Sequence, residues 1–287
     1  MLARRPRQVD TETTEENEIG DTEPLGHDEL WRDVLAGTHP SIRVGRRLFK
    51  RLPGEPRCKL CAAPLGGAVS PLMRLIGKGA WPKNPKYCGS CFGVLSDHHG
   101  GAEIECSLMF ADVRGSTTMA EGMRPSEIYT LMDRFFDTAA QVLVEHDAIV
   151  DRFVGDQAIG IFVPALAGQD HAGGAIRAAQ AVLAATGHGV GAPWVPIGVG
   201  VATGVAFVGS VGSASHVDLT ALGDPVNIAS RLASAAAIGE VLVTLDAATA
   251  AGLDVAGLER RDLTLKGRAD PTSVVVLSTP HPTSSSS

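Results

Sequence analysis

The sequence predicts an α+β fold in which helices pack on a largely antiparallel sheet. From residue 105 onward, short apolar runs typical of strands interleave with longer segments of helical periodicity. Several neighbouring strand-like segments are separated only by a glycine-containing turn, which indicates hairpins and therefore antiparallel pairing. The 287 residues are enough for one full domain and a smaller companion.

Each predicted element rests on a local pattern. The apolar run at 108–111 is bounded by turn residues, as buried strands usually are, and the Gly155-Asp156 pair is a hairpin turn. Asp224 and Pro225 are favourable residues for the start of a helix. In order, the predicted elements are a strand at 105–112, a helix at 125–146, strands at 148–154 and 157–163, a helix at 169–186, strands at 195–203 and 205–211 that turn at Gly204, a helix at 224–237, a strand at 240–244, and closing strands near 261–266 and 273–278.

Composition divides the chain into four parts. Residues 1–25 are polar and acidic with almost nothing to bury, so we expect a disordered tail there and a second one at 279–287. Residues 26–100 contain a helical segment and a cysteine module, and residues 101–278 form the larger domain. The helical segment includes a basic run at 43–51, which is most often a solvated helix face, although it could contact a partner or a nucleotide.

Charge, hydropathy and cysteine usage limit where the protein works. The formal net charge of -7 gives no overall reason to expect nucleic acid as a partner. No apolar stretch approaches the twenty residues of a membrane span, and the basic start lacks the hydrophobic region of a signal peptide. An odd number of cysteines with two close pairs favours metal binding in a reducing compartment over disulfides. We therefore expect a cytoplasmic protein without a membrane partner.

Two aspartates lie where predicted strands meet turns. Asp112 ends the first strand, and a buried carboxylate there requires a compensating group. A helix cap or a turn is the ordinary explanation for Asp112, and a hairpin turn is the ordinary explanation for Asp156. Two carboxylates at the ends of neighbouring central strands would, however, repel one another unless a divalent cation lay between them. Such carboxylates commonly bind Mg²⁺ that is shared with substrate phosphates.

Three further groups could bind an anionic substrate. The small-residue turn after Asp112 exposes backbone N–H groups that can hold phosphates, and Arg114 within it either adds charge or points to solvent. Asn227 and Arg231 are four residues apart on one helix face and could stabilise developing negative charge. Lys266 ends an alternating strand and could hold terminal phosphates. Each of these also has a simpler interpretation as a solvated surface residue.

The cysteine module contains two C-x-x-C pairs with 26 residues between them, namely Cys58 with Cys61 and Cys88 with Cys91. Four thiolates from two knuckles are typical of a tetrahedral Zn²⁺ site, and a module of this size barely folds without such a link. An iron–sulfur cluster and redox-active thiols are the alternatives. Cys106 lies in the first predicted strand, and we expect it to be a buried hydrophobic residue.

The motifs of the larger domain resemble those of the class III nucleotidyl cyclases, the adenylate and guanylate cyclases. The resemblance covers roughly Glu105 to Leu277, and its motifs, in family order, are FADVRGST, RFVGD, GVATGVAFVGSVG, LGDPVNIASRL and LKG. The family fold is a ferredoxin-like α+β core, βααββαβ, which agrees with the elements above. The resemblance implies an adenylate cyclase that converts ATP to 3′,5′-cyclic AMP and pyrophosphate in signal transduction, through in-line attack of the ribose 3′-oxygen on the α-phosphorus.

The resemblance also implies a role for each motif residue. Asp112 and Asp156 would bind two Mg²⁺ or Mn²⁺ ions. Asn227 would orient the ribose, and Arg231 would stabilise the transition state at the α-phosphoryl group. The substrate-binding residues would be Val113, Gly115, Ser116 and Thr117 in the turn, Arg152 and Thr220 at the base, and Lys266 at the triphosphate.

The two base-reading positions depart from the family pattern. Arg152 stands where adenylate cyclases usually have a lysine, and the two are not interchangeable at a tight contact. Thr220 stands where many members have Asp, a change that recurs in bacterial adenylate-type members, and neither position shows the Glu and Cys pattern of guanylate cyclases. The alternatives are therefore a guanylate cyclase and a catalytically weak or silent nucleotide-binding module. A zinc-ribbon nucleic-acid binder is supported by the basic helix alone.

The resemblance finally implies an assembly. In the family, one chain supplies the metal-binding aspartates, and its partner supplies the base-reading residues together with the Asn and the Arg. This chain contains both sets of residues, so the resemblance implies a homodimer with two equivalent shared sites.

Overall fold

A computed structural model describes the protein over most of its length. The described residues are 28–82, 84–91, 93, 100–151, 155–213, 216–268 and 270–278. The two predicted tails, 1–25 and 279–287, and the predicted base-reading residue Arg152 lie outside the described residues. Within the described part of the chain, no helix is both long enough and apolar enough to cross a membrane.

The helices occupy two parts of the chain. Before the main sheet come α1 (Asp28–Ala36), α2 (Pro40–Phe49) and α3 (Ser70–Leu75). Helices that alternate with the strands of the main sheet are α4 (Ser116–Gly122), α5 (Pro125–Glu145), α6 (Pro164–Ala167), α7 (His171–Ala185), α8 (Asp224–Ala235) and α9 (Leu245–Ala250). The helices predicted at 125–146, 169–186 and 224–237 are thereby confirmed to within two residues at each end.

The strands form one small sheet and one large sheet. The small sheet pairs β1 (Ala80–Trp81) with β2 (Asn84–Cys88). The large sheet contains β3 (Gly100–Val113), β4 (Ile149–Val150), β5 (Gln157–Phe162), β6 (Ile197–Ser213), β7 (His216–Leu222), β8 (Glu240–Thr244), β9 (Glu259–Leu263) and β10 (Thr272–Ser278). Its order is β4-β5-β3-β6-β8-β10-β9, with β7 paired to the far part of β6. Its pairings are antiparallel except that of β6 with β8, so the α+β prediction is confirmed.

Strand β3 lies between two hydrophobic cores. Met109 and Ala111 point into one core, together with residues of α5, α7 and α9. Leu108 and Phe110 point into the other core, together with residues of α1, α8 and the cysteine module. A strand segment covered on both faces needs a nearly continuous apolar sequence, and residues 106–111 of β3 are all buried and apolar except for Ser107.

One predicted turn is wrong. A turn at Gly204 was expected between two strands, but β6 is continuous through this residue, which pairs with Cys106 of β3. A side-chain carbon at Gly204 would contact Pro225 at 3.5 Å, so the glycine lies beneath the start of α8. Strand β6 instead forms a hairpin with β7. It ends at Ser213, nine residues after the predicted turn at Gly204, and Ser213 pairs with His216. Strand β3 also begins at Gly100, earlier than the predicted 105.

The N-terminal helices and the cysteine module share a core with the main sheet. Trp31 of α1 is 1% exposed and lies against the first residue of β3, where a side-chain carbon at Gly100 would come within 3.2 Å of the indole nitrogen. Cys58, Cys88 and Leu108 belong to the same buried cluster. The described part of the chain before residue 100 therefore contributes Trp31 and the cysteine module to the core on one face of the sheet.

Helix α8 approaches the backbone of β6 very closely at Gly200. A side-chain carbon there would collide with the carbonyl oxygen of Ala229 and the backbone nitrogen of Ala233. Neither atom can move without moving the helix. Helix α8 carries two of the predicted site residues, Asn227 and Arg231. This contact therefore also fixes the backbone position from which those side chains extend.

We expect Gly200→Ala to lower the free energy of unfolding by about 1–3 kcal/mol, because the added methyl group forces α8 away from the sheet. Urea denaturation followed by circular dichroism measures the change. Gly122→Ala is the matched control, since a side-chain carbon at Gly122 has no neighbour within 4 Å. Equal stability of the two variants would contradict the close contact.

Candidate active site

Asp112 is a buried carboxylate at the end of β3. It is 6% exposed and pairs with Gln157 of β5 in the strand register. Its Oδ2 accepts hydrogen bonds from Gln157 Nε2 at 2.6 Å and from Ser234 Oγ at 3.0 Å. These two donors orient the carboxylate, and Gln157 in turn accepts a hydrogen bond from Ser230 Oγ at 3.2 Å.

Asp156 lies beside Asp112, immediately before β5. The Val113 N–H donates to the Asp156 carbonyl at 3.2 Å, and Ser116 Oγ donates to the Asp156 carboxylate. The structure therefore brings the two carboxylates together at adjoining strand ends, as the sequence predicted. Val113 is buried, and its N–H is bonded to the Asp156 carbonyl, so its backbone links the two strand ends that carry the aspartates.

Arg114 compensates the charge of Asp112, one of the two carboxylates, in the described structure. Its Nη2 forms an ion pair with Asp112 Oδ1, and its Nη1 donates to the Ser234 carbonyl at 2.6 Å. Burial lowers the pKa of Arg114, and the nearby charge of Asp156 opposes that effect. The sequence left the direction of Arg114 open, and the structure turns it toward the aspartates. Two neighbouring carboxylates require compensating positive charge, which a divalent cation would supply.

The turn after Asp112 is open to solvent. Gly115 has a φ of 69°, a left-handed conformation that favours glycine, and a side-chain carbon there would have no neighbour within 4 Å. Ser116 is half-buried and Thr117 is exposed. The turn therefore lies at the surface directly beside Asp156, with room for a ligand.

A second group of predicted residues gathers around the first two turns of α8. Asn227 is exposed and Arg231 is half-buried. A side-chain carbon at Gly267 would lie 3.5 Å from Arg231 Nη2, so the guanidinium lies against the loop that carries Lys266, which is itself exposed. The loop is tied to the start of α8 by an ion pair of Arg268 Nη1 with Asp224, at 2.5 and 2.6 Å to the two oxygens.

Thr220 lies near the predicted base-reading position of the hairpin. It is 4% exposed, and its Oγ1 donates to Asp151 Oδ2 at 2.6 Å. Asp151 directly precedes Arg152, which is outside the described residues. The structure therefore brings Thr220 to the chain neighbour of Arg152, although the two positions are 68 residues apart in the sequence.

The two groups lie toward opposite ends of α8. Ser234, which contacts Asp112, follows Asn227 by seven residues, about 10 Å along the helix axis. Asp112 lies beside the start of β6, and the start of β8 is level with the same end of the sheet. Because β10 runs antiparallel to β8, β10 begins at the opposite end. The Lys266 loop, which joins β9 to β10, therefore lies at the end of the sheet away from Asp112. Within one chain, Asn227 and Lys266 are therefore directed away from the two aspartates.

Sequence reasoning missed the residues that support these groups. Gln157 and Ser234 orient Asp112, and Asp151 holds Thr220. Gln157 directly follows Asp156, so its place opposite Asp112 could have been found from the register of the two strands. Ser234 and Asp151 carry no such local signal, since their partners are 122 and 69 residues away in the chain.

Comparison with known proteins gives the family. The sequence model of the adenylate and guanylate cyclase catalytic domain matches residues 102–278, which is more than half of the chain. The chain belongs to this cyclase family. Its order of strands and helices and the pairing of Asp112 with Asp156 lie within the matched region.

Individual relatives match about half to two thirds of the chain. Adenylate cyclase 1 of Rhizobium meliloti is 35% identical over 149 residues, which are 49% of this chain and 22% of that protein. The crystal structure of the guanylyl cyclase Cya2 has a TM-score of 0.56 and 27% identity, and the match covers 64% of this chain and 98% of that one. The adenylyl cyclase CyaB of P. aeruginosa has the same fold, with a TM-score of 0.53, 23% identity, and 63% and 97% coverage. The chain spans about a quarter of the length of the curated relatives it matches.

The four paired cysteines form a cluster outside residues 102–278. The Sγ atoms of Cys58, Cys61, Cys88 and Cys91 all lie within 4.8 Å of one another. The Sγ atoms of Cys61 and Cys88 are 3.7 Å apart. Four sulfurs around a metal at about 2.3 Å would be separated by roughly 3.8 Å, so the cluster fits a tetrahedral ion.

The electrostatics of the cluster also favour a cation. The hydrogen bond from Cys61 is the largest of those that lower the pKa of Cys58, whereas the hydrogen bond to Cys58 raises the pKa values of Cys88 and Cys91. Four thiolates this close together would repel one another, so a fully ionised cluster requires a bound cation. Cys106 lies apart and is 0% exposed, as expected, and burial raises its pKa to about 12.

Proposed function

We propose that the chain is a nucleotidyl cyclase that converts ATP to 3′,5′-cyclic AMP and pyrophosphate. The observation that carries this proposal is the pair of aspartates, Asp112 and Asp156, held side by side at adjoining strand ends of a cyclase domain. A nucleotide-binding module without catalysis would not need both. Reduced cysteines at metal-binding spacing support a cytoplasmic setting, where ATP is available.

Asp112 and Asp156 would hold two Mg²⁺ or Mn²⁺ ions, which supply the charge that activates the ribose 3′-oxygen and neutralises the triphosphate. Gln157 and Ser234 keep the Asp112 carboxylate in one orientation, and Ser116 does the same for Asp156. A carboxylate whose second oxygen is already held loses little freedom when its first oxygen binds a ligand.

The second group would bind the other parts of the substrate. Asn227 would orient the ribose, and Arg231 would place a fixed positive charge beside the α-phosphorus, where negative charge develops. Lys266 would bind the terminal phosphates, since its loop is fixed to α8 beside Arg231. Gly115, Ser116 and Thr117, in the open turn beside Asp156, would contact the phosphates from the metal side.

ATP is the substrate that we favour over GTP. Thr220 and the segment that contains Arg152 would read the base, and the hydrogen bond of Thr220 to Asp151 supports a common position for these two elements. The Rhizobium relative is an adenylate cyclase, which favours ATP, and the match to a guanylyl cyclase structure makes GTP the second substrate to test.

We also propose a homodimer with two shared sites. Within one chain the aspartates lie at one end of α8, and Asn227 and Lys266 are directed toward the other end. A two-fold axis would bring the first group of one protomer to the second group of its partner and would do so twice. In this arrangement neither chain contains a complete site.

Finally, we propose that the cysteine cluster binds structural Zn²⁺. Four cysteines with sulfur spacings near those of a tetrahedral site are the usual ligands of such an ion. The ion would join two segments that are separated by 26 residues and would stabilise the module around them.

Incubation of the purified protein with ATP or GTP and Mn²⁺, followed by detection of the cyclic product, tests the activity. We expect cyclic AMP from the wild type and a loss of at least about a hundredfold in kcat for Asp112→Asn and Asp156→Asn, because a neutral amide is a poor ligand of Mg²⁺. Asp137→Asn, at an exposed position of α5, is the control and should keep wild-type turnover. Activity within tenfold of wild type in either site variant would contradict the metal assignment, and a cyclic GMP product would assign the other base.

Mixing two inactive variants tests the shared site. Asp112→Asn and Arg231→Ala damage different halves, so each mixed dimer has one site with both defects and one intact site. Free exchange of equal amounts makes half of the dimers mixed, and activity should recover to roughly a quarter of wild type. A mixture of Asp112→Asn with Asp156→Asn is the control and should not recover, since both defects lie in the same half. Failure of the first mixture to recover, despite exchange shown by tagged pull-down, would mean that the site is not shared.

Elemental analysis of protein purified without added metal tests the cysteine site. We expect one zinc per chain, its loss in Cys58→Ser and Cys91→Ser, and a fall of at least about 2 kcal/mol in the free energy of unfolding of these variants. Cys106→Ala lies outside the cluster and should retain the metal. Iron with visible absorbance, or the absence of metal, would refute the zinc assignment.

A further inference from the structure

Asp147 occupies an unusual position at the C-terminal end of α5. The Asp147 N–H donates to the Val144 carbonyl at 3.2 Å, and the Ala148 N–H donates to the Leu143 carbonyl at 3.0 Å. These two bonds define a Schellman motif, in which the left-handed residue is usually glycine. Asp147 adopts this conformation with a φ of 67°. Its negative charge also lies at the helix end where the dipole disfavours it, so some other interaction must stabilise it.

Two lysines of the cysteine module supply that interaction. Lys59 Nζ forms an ion pair with Asp147 Oδ2. Lys86 Nζ lies 3.2 Å from Asp147 Oδ1 and also donates to the Glu145 carbonyl at 2.7 Å, at the end of α5. The Asp147 side chain is 20% exposed, and those of Lys59 and Lys86 are 40% and 28% exposed, so the carboxylate is the more shielded partner of both ion pairs. We call Lys59, Lys86 and Asp147 the Asp147 clamp.

The clamp joins both halves of the cysteine cluster to the cyclase domain. Lys59 lies between Cys58 and Cys61, and Lys86 lies two residues before Cys88. The two lysine segments are also bonded directly, from the Lys59 N–H to the Lys86 carbonyl at 3.0 Å. Each cysteine pair contributes one lysine to Asp147. Both ion pairs can therefore form only while the two cysteine pairs keep their relative position.

The segment that follows Asp147 leads to Asp151 and then to Asp156, two residues of the candidate active site. Ala148 is buried, and β4 then leads to Asp151, which accepts the hydrogen bond of Thr220. Asp156 follows five residues further along the chain. A displacement of Asp147 would thus reach Asp151, the partner of Thr220, within four residues and Asp156 within nine residues.

We propose that Asp147 is a positioning residue through which the metal-loaded cysteine module holds the catalytic hairpin in its active arrangement. Loss of the metal frees the two knuckles from one another, so that Lys59 and Lys86 no longer hold one carboxylate together. The hairpin that carries Asp151 and Asp156 then loses its support on that side. This inference rests on the proposed cyclase function and goes beyond it, since it makes the module a regulator of the site as well as a stabilising element.

Asp147→Gly is the sharpest variant, because glycine is the preferred residue of a Schellman motif and the helix end is therefore preserved. We expect unchanged zinc content, an equal or higher melting temperature, and a fall of at least about fivefold in kcat/KM for ATP. The double variant Lys59→Met/Lys86→Met should show the same loss from the other side of the clamp.

Lys78→Met is the matched control for the lysine variants. Lys78 belongs to the same module, in the chain segment between the two cysteine pairs. Its Nζ lies 5.7 Å from the centre of the Phe49 ring, and it forms no ion pair with Asp147. Wild-type kcat/KM in Lys78→Met, with a loss in Lys59→Met/Lys86→Met, supports the clamp. Equal effects of both would overturn it.

Coupling is tested by removing the metal in two backgrounds. Cys88→Ser should lower kcat/KM in the wild type by about the same factor as Asp147→Gly, and should lower it little further in the Asp147→Gly protein, because both changes act through one contact. Activity of Asp147→Gly equal to that of the wild type would overturn the proposal. So would an undiminished effect of Cys88→Ser in that background.

Hydrogen exchange tests the proposed role of the Asp147 clamp independently of enzyme activity. Amides of residues 148–151 and 155–162 should exchange faster in Cys88→Ser than in the wild type, and the Asp147→Gly protein should show the faster exchange with its metal still bound. Unchanged exchange in both variants would refute the clamp even if the protein makes cyclic AMP. Faster exchange in a protein that makes no cyclic nucleotide would support the clamp and refute the proposed function.

Discussion

The pairing of β3 with β5 and β6 is the interaction on which the rest of the structure depends. Strand β3 contributes side chains to both hydrophobic cores, and its register places Asp112 between Gln157 and Gly198. A shift of one residue would exchange the two faces of the strand and turn Asp112 into the core of α5 and α7. Correct register instead places this carboxylate beside Arg114 and Ser234, where its charge is compensated. Core packing and site geometry are therefore set by the same hydrogen bonds.

The hairpin of β4 and β5 contributes to the aspartate pair and also contacts the predicted base-reading position. Asp156 lies beside Asp112, and Asp151 accepts the hydrogen bond of Thr220. The cysteine module contacts the chain at Asp147, just before this hairpin begins. A displacement at Asp147 would affect Asp151 and Asp156 through a short segment of chain. A displacement of α8 would affect the site only through the close packing of that helix on Gly200.

Local sequence pattern was sufficient for much of this architecture. The helices α5, α7 and α8 could be located to within two residues, because their periodicity depends on neighbours three and four positions away. The aspartates could be placed at strand ends because an apolar run that ends in a charge has few explanations. The spacing of the cysteines likewise indicated a four-sulfur cluster, which the structure contains. In each case the partners lie close in sequence or share a residue type that has few uses.

Tertiary structure decided what depends on distant partners. The glycine at 204 reads as a turn, but it lies inside β6 because pairing with β3 continues past it and α8 packs above it. The orientation of Asp112 depends on Ser234, 122 residues away, and the Asp147 clamp joins residues that are 88 apart. Lysine, serine and aspartate are common at exposed positions, so their sequence context does not distinguish a solvated side chain from a partner in a contact. That distinction arises when strand register and helix packing bring the two chain segments together, because the energy of a charge pair depends on the distance and burial of both groups.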